Sequence, residues 1–169
     1  LYSVANIVTM SMQTAESTVT GQNIAARKID RVKRSILICT GICLAYWAVL
    51  AVLCLLFPAG VFGLFTSDPD VLAMAPDYMP ILVVMFLSFA TMSPPIGLIN
   101  GVGHVKLNFI IALADGVVAR IGLCLLLANV MGLGLHGYWW GSALAGFVSS
   151  IAGFAYYFSG RWQDRRILA

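Results

Sequence analysis

Residues 35–62 read SILICTGICLAYWAVLAVLCLLFPAGVF, with no charged side chain anywhere in the stretch. A surface helix of a soluble domain shows an apolar stripe and a polar face, whereas this run is apolar or small on every face and exceeds the ~18 residues that suggest a membrane span. The rest of the chain has the same character. Of its 169 residues, 60% are hydrophobic and 10% charged, with a mean hydropathy of +0.92; soluble domains hold roughly 45–50% apolar and 25% charged residues. The sequence therefore predicts an all-α integral membrane protein with five transmembrane helices, over about 1–21, 35–62, 78–99, 107–129 and 138–159, and no room for a soluble domain. The connectors hold the helix breakers: Pro58, Gly60, Gly63 and Pro69 in one, and glycine-rich GLINGVGHVK and MGLGLHG in two others. Residue 1 is Leu and no basic segment precedes a short apolar core, so the start does not read as a signal peptide and the chain reads as a fragment or processed piece.

Nine of the ten Lys and Arg residues orient these spans. Arg27, Lys28, Arg31, Lys33 and Arg34 follow the first helix, Lys106 follows the third, and Arg161, Arg165 and Arg166 follow the fifth. The alternate connectors carry Asp68, Asp70 and Asp77 instead. Because short loops rich in Lys and Arg stay cytoplasmic, the first helix runs inward and the C-terminus is cytoplasmic. Trp47, Trp139, Trp140 and Trp162, with Tyr138, Tyr156 and Tyr157, read as headgroup anchors toward the span ends.

Two departures from this apolar background are candidate sites. In the first helix Asn6, Thr9, Gln13, Glu16, Thr20 and Asn23 recur at steps of three and four, one stripe along a single face. In hydrocarbon such a stripe must meet protein or water. It reads either as an interhelical hydrogen-bond seam or, with Glu16 about 10 Å inside the cytoplasmic end, as a functional carboxylate. In the fourth helix, NFIIALADGVVARIGL places Asp115 and Arg120 about 5 and 3 Å either side of the midpoint. Five residues apart on an α-helix they diverge by about 140°, which points to partners on other helices. A structural ionic network and a transport role are both open for this pair. Asn108, Ala112, Asp115, Ala119 and Gly122 share a narrow face of small and polar residues suited to close helix approach or to a cavity wall. Pro94 and Pro95 remove two amide donors from the inner third of the third helix and are expected to kink or end it, as a moving wall or as an ordinary packing feature.

Several classes are excluded or disfavoured. There is no phosphate-binding loop, nucleophile elbow or HExxH, so nothing reads as an enzyme. Cys39, Cys43, Cys54 and Cys124 fall inside spans without a CxxC pair and read as small packing residues, and His104 and His136 as solvated loop residues. No metal or cofactor is called for. The basic loop is accounted for by orientation, so nucleic acid is not implied.

The run STVTGQNIAARKIDRVKRS resembles the MATE (multidrug and toxic compound extrusion) antiporters, whose usual form is close to GQNxGA followed by basic residues and an Asp-Arg pair. Gly21, Gln22, Asn23, Ala26, Asp30 and Arg31 match, and Ala25 replaces the common glycine. NGVGHVK, Asn100 to Lys106, is similar to the RGxGxxK loop of that family with Asn100 in place of the frequent arginine; DGVVARIGL, GYWWGSALAGF and YYFSGRW are similar to the last two helices of bacterial members. The resemblance implies a twelve-helix transporter of two six-helix lobes, of which this chain supplies helices eight to twelve. The first lobe and helix seven lie elsewhere in the same protein. It further implies exchange of small amphipathic or cationic organic compounds for H⁺ or Na⁺ by alternating access, in the bacterial cytoplasmic membrane among its lipids. On this reading Gln13, Glu16, Thr20, Asp115 and Arg120 are substrate or ion-pathway candidates, and Gly21, Gln22, Asn23, Pro94, Pro95 and Asn100 are gating or loop candidates. The alternatives are a lipid-linked precursor flippase of the same superfamily, which a single Arg inside the spans disfavours, and a non-transporting membrane scaffold whose charges only hold helices together.

Overall fold

The computed structural model describes residues 2–164, with side chains from Asn6 onward. Arg165 and Arg166, two of the orienting charges, lie outside the described residues. The elements in order are α1 (Tyr2–Ala25), α2 (Ile29–Leu56), the short α3 (Pro58–Gly63) and α4 (Pro69–Ala73), α5 (Ala75–Gly101), α6 (Val105–Leu113), α7 (Arg120–Leu125) and α8 (Gly134–Phe158). π-Helical turns at Ala114–Ala119 and Leu126–Val130 join α6 and α7 into one rod over Val105–Val130. Four helices are long and apolar enough to cross a membrane: Ile29–Leu56, Ala75–Gly101, Val105–Val130 and Gly134–Phe158. The fifth expected span, α1, has the length with its 24 residues, but its polar stripes keep it below that hydropathy.

α5 is the axis of the bundle and packs against α1, α2 and α8. It is also the most enclosed of the four apolar helices. In lipid the hydrophobic effect does not drive helices together, so close backbone approach through small residues has to do so. α5 offers the spacing for this. Gly97 and Gly101 lie one turn apart, and a Cβ on either would sit 2.8 Å from the Gln13 carbonyl oxygen or 2.5 Å from that of Ser17 on α1. On the opposite side α8 presents Gly146 to Ser88 and Gly153 to Pro95, while its Gly137 and Gly141 admit the backbone around Ala128 and Cys124.

The helix ends differ from expectation for local reasons. α2 starts at Ile29 rather than 35 because the basic segment continues the helix, and it stops at Leu56 because Pro58 follows. The double proline does not end α5, which runs past Pro94 and Pro95 to Gly101; Pro95 lies against Gly153, and neighbouring helices make such a break in the amide ladder tolerable. α1 closes in a left-handed turn at Arg27 (φ 56°), with Lys28 N–H donating to the Asn23 carbonyl at 2.8 Å and Arg27 N–H to Ile24 at 3.0 Å. α5 closes the same way on Gly103 (φ 69°), where the glycine removes the steric cost.

Two tryptophans are not headgroup anchors. Trp47 donates from Nε1 to the Val83 carbonyl of α5 at 3.0 Å. Trp162 is fully buried among Ile24, Val32, Ile36, Leu98 and Val102, because the chain reverses at Gly160 (φ 70°) and folds the ring back onto Tyr157.

Candidate functional site

The stripe on α1 faces protein. Thr9, Glu16 and Thr20 are buried, and Gln13 and Asn23 are half-buried. Glu16 Oε1 accepts hydrogen bonds from Thr20 Oγ1 at 2.8 Å and from Ser35 Oγ of α2 at 3.0 Å. Ser35 Oγ also lies 2.9 Å from the Val32 carbonyl, a second acceptor for its single hydrogen. Opposite Glu16 stands Gly97, where an added Cβ would meet Glu16 Cβ at 2.9 Å. Three helices thus converge on one carboxyl: α1 carries it, α2 donates to it, and α5 makes room for it. Gly21 approaches the Gly101 carbonyl one turn further along; Gln22 is exposed, and Asn23 Nδ2 donates to its own helix at the Val19 carbonyl. Asn100 accepts from Asn108 Nδ2 at 2.8 Å, tying the end of α5 to α6. In NGVGHVK each glycine has its own reason, Gly101 for the approach of α1 and Gly103 for the left-handed turn.

Asp115 and Arg120 form an ion pair within their own rod, Nη2 to Oδ1 at 3.4 Å, contrary to the divergence expected of an α-helix. The reason is the π turn at Ala114–Ala119: its i→i+5 bonding widens the turn and returns the fifth residue over the first. Asp115 is also bound across the bundle, accepting from Ser149 Oγ of α8 at 2.6 Å, while Arg120 reaches Ser142 of α8 at 3.5 Å. The partners on another helix are thus serines, and they add to the pair within the rod instead of replacing it. Next along α8, Ser150 pairs with Thr91 Oγ1 at 2.8 Å and donates to the Ser88 carbonyl of α5. The adjacent serines at 149 and 150 thus tie α8 to two helices, a role that only their spacing in FVSSIAG could have signalled.

The two carboxyls are not brought together. Glu16 belongs to the α1–α2–α5 contact and Asp115 to the contact between its own rod and α8, and α1 does not touch that rod. α1 has a second polar face, outside the stripe that carries Glu16. Ser11, Thr14 and Thr18 recur at steps of three and four on its outer side, line an open depression of about 500 Å³ with Met10 and Ala15, and return their hydroxyl hydrogens to carbonyls one turn back. Among the described residues no three His, Cys, Asp or Glu side chains cluster as metal ligands would. His104 and His136 stack edge-on against Tyr156 and Trp139.

Comparison with known proteins places this arrangement. The MatE family model matches residues 1–126. A protein named "Probable multidrug resistance protein NorM" from Thermotoga maritima is 25% identical over 127 residues, 74% of this chain and 27% of its own length. An uncharacterized transporter of Schizosaccharomyces pombe is 27% identical over 101 residues, 60% of this chain and 19% of its own length. The chain thus spans about a quarter or less of the curated relatives it matches. The fold is that of part of a solved multidrug resistance MATE family transporter in an inward-facing conformation, with a TM-score of 0.79 at 20% identity over 95% of this chain and 39% of that one.

Proposed function

Because the chain belongs to the MatE family, we propose that it forms part of a secondary transporter that expels amphipathic or cationic organic compounds in exchange for H⁺ or Na⁺. On this reading the segment supplies helices eight to twelve of a twelve-helix, two-lobe protein, and α1 is a fifth span whose polar faces meet other helices or the transport pathway. Access alternates between the two sides of the bacterial cytoplasmic membrane, with the C-terminus in the cytoplasm. Gln13, Glu16, Thr20, Asp115 and Arg120 line or brace the ion pathway. Gly21, Gln22, Asn23, Pro94, Pro95 and Asn100 belong to the parts that shift between states.

The observation that carries the proposal is the presence of two buried carboxyls, Glu16 and Asp115, inside a helical bundle otherwise made of apolar and small side chains. Intramembrane acids are costly and mark ion or substrate pathways. The flippase alternative needs free cations for a pyrophosphate, and the Arg120 guanidinium is already engaged by Asp115. The test is solute flux by the intact transporter in sealed proteoliposomes. A fluorescent organic cation should be expelled when a pH or Na⁺ gradient is imposed, and the movement should stop when an ionophore collapses the gradient. Absence of gradient-dependent flux for any cationic or amphipathic solute would favour the scaffold.

A further inference from the structure

The two buried acids differ in what their partners can do. Asp115 is bound by a guanidinium, which only donates hydrogen bonds and so offers no acceptor to a carboxyl proton. Glu16 has no cation within ion-pair distance among the described residues, and is bound by two hydroxyls. A hydroxyl can donate to a carboxylate and can equally accept from a carboxylic acid. For Ser35 the second arrangement is already provided: its hydrogen turns to the Val32 carbonyl at 2.9 Å, leaving its oxygen to accept. Glu16 therefore sits in a shell that satisfies it in both protonation states.

We propose that Glu16 is a proton-exchange site of this lobe, a carboxyl that takes up and releases one proton during transport, with Ser35 turning from donor to acceptor as it does so and Thr20 donating in both states, while Asp115 remains a fixed brace. The inference rests on the transport reading above and deepens it by choosing the ion and the residue. The proton is the only species exchanged: the neutral carboxyl gives H⁺ and a carboxylate, and no other bond is made or broken. The titratable groups facing Glu16 are few. On α2 it is the Cys39 thiol, α5 presents Gly97, and the described side chains of α1 add none. The cations Arg27, Lys28, Arg31, Lys33 and Arg34 are all exposed and none is within ion-pair distance of Glu16, while Ile24, Val32, Leu98, Val102 and Trp162 form an apolar cluster at the end of α1. Glu16 Cβ and Cγ also lie against the Gly97 position, so a change of charge is felt where α1 and α5 touch.

The test is labelling by dicyclohexylcarbodiimide, which adds to protonated carboxyls in apolar surroundings, on the full transporter in vesicles with the modified peptide identified by mass spectrometry. The expected result is label on the peptide containing Glu16, declining as pH rises. Glu16→Gln should lose that label. It should also lose the dependence of efflux on an imposed pH gradient. No label on Glu16 at any pH, label on Asp115 in its place, or protection by Na⁺ at constant pH would each overturn the proposal. The wild-type labelling needs no variant to fold. If Glu16 titrates as described but the protein moves no solute, the proton site stands and the efflux reading falls.

Discussion

Gly97 and Gly101 set the distance between α1 and α5, and adding one methyl at each shows how two opposing effects are decided. Alanine is the better helix former by about 1 kcal/mol, so at a helical glycine with free space the substitution stabilises. Gly41 is such a position, since nothing lies within 4 Å of its notional Cβ. At Gly97 the methyl meets the Gln13 carbonyl oxygen at 2.8 Å, and at Gly101 it meets the Ser17 carbonyl oxygen at 2.5 Å and Thr20 Cβ at 2.7 Å. These are backbone atoms or atoms next to backbone, so no rotamer change relieves them and one helix must move by several tenths of an ångström. Overpacking of this kind costs about 1–3 kcal/mol. The clash therefore wins at Gly101, by up to roughly 2 kcal/mol after the propensity gain, and by less at Gly97. Gly41→Ala should shift the other way. The assay is the thermal midpoint of the full transporter in detergent, followed by size-exclusion chromatography of a fluorescent fusion. If Gly101→Ala melted at or above the wild type, in step with Gly41→Ala, the close approach of α1 and α5 argued here would be wrong.

Two further outcomes follow from the charges. Asp115→Asn and Arg120→Leu should each reduce the yield of folded transporter, by up to the ~3–5 kcal/mol typical of breaking a buried pair and by less here because Arg120 is 35% exposed; the double variant should recover much of the loss, and simple additivity would show that the two are uncoupled. Single cysteines at Ser67 and Gly134 should react with an impermeant thiol reagent from outside intact cells, and at Lys33 and Gln163 only after permeabilisation, since the Lys and Arg distribution puts the latter two in the cytoplasm; the reverse pattern would invert the topology.

Four spans are legible because hydrocarbon imposes a length and a composition that nothing else in the chain mimics. Their ends were less so. An apolar run continues through Phe57 to Phe62, and hydropathy cannot see that Pro58 breaks it or that the charged turn from Ile29 is helical. The cost of exposing Glu16 to lipid says that the α1 stripe meets protein or water, and the structure buries Thr9, Glu16 and Thr20 against protein. The Asp115–Arg120 pair was hidden by an assumption. Rotating 100° per residue separates the two side chains, whereas a π turn brings them together, and no residue in ADGVVA announces that turn. Trp162 was read as an anchor because it lies past the last span; only the left-handed turn at Gly160 folds it back into the core.

The division of labour between glycines and polar side chains explains why these particular charges can be held here. In a water-soluble bundle, apolar burial holds helices together and a buried acid is a net expense. In lipid that force is missing, and the α1–α5 and α5–α8 contacts rest on the backbone approach allowed by Gly97, Gly101, Gly146 and Gly153. Adhesion is thereby separated from charge. The carboxyl groups need only be satisfied locally, Asp115 by Arg120 and Ser149 and Glu16 by Thr20 and Ser35. A helix pair held by glycines also has no interlocked side chains to release when it slides. The acid beside such a contact is then placed to bias the sliding through its charge, and Glu16, packed against Gly97, occupies that place, whereas Asp115 is bound by Arg120 of its own rod and by Ser149 of α8, on the other side of α5.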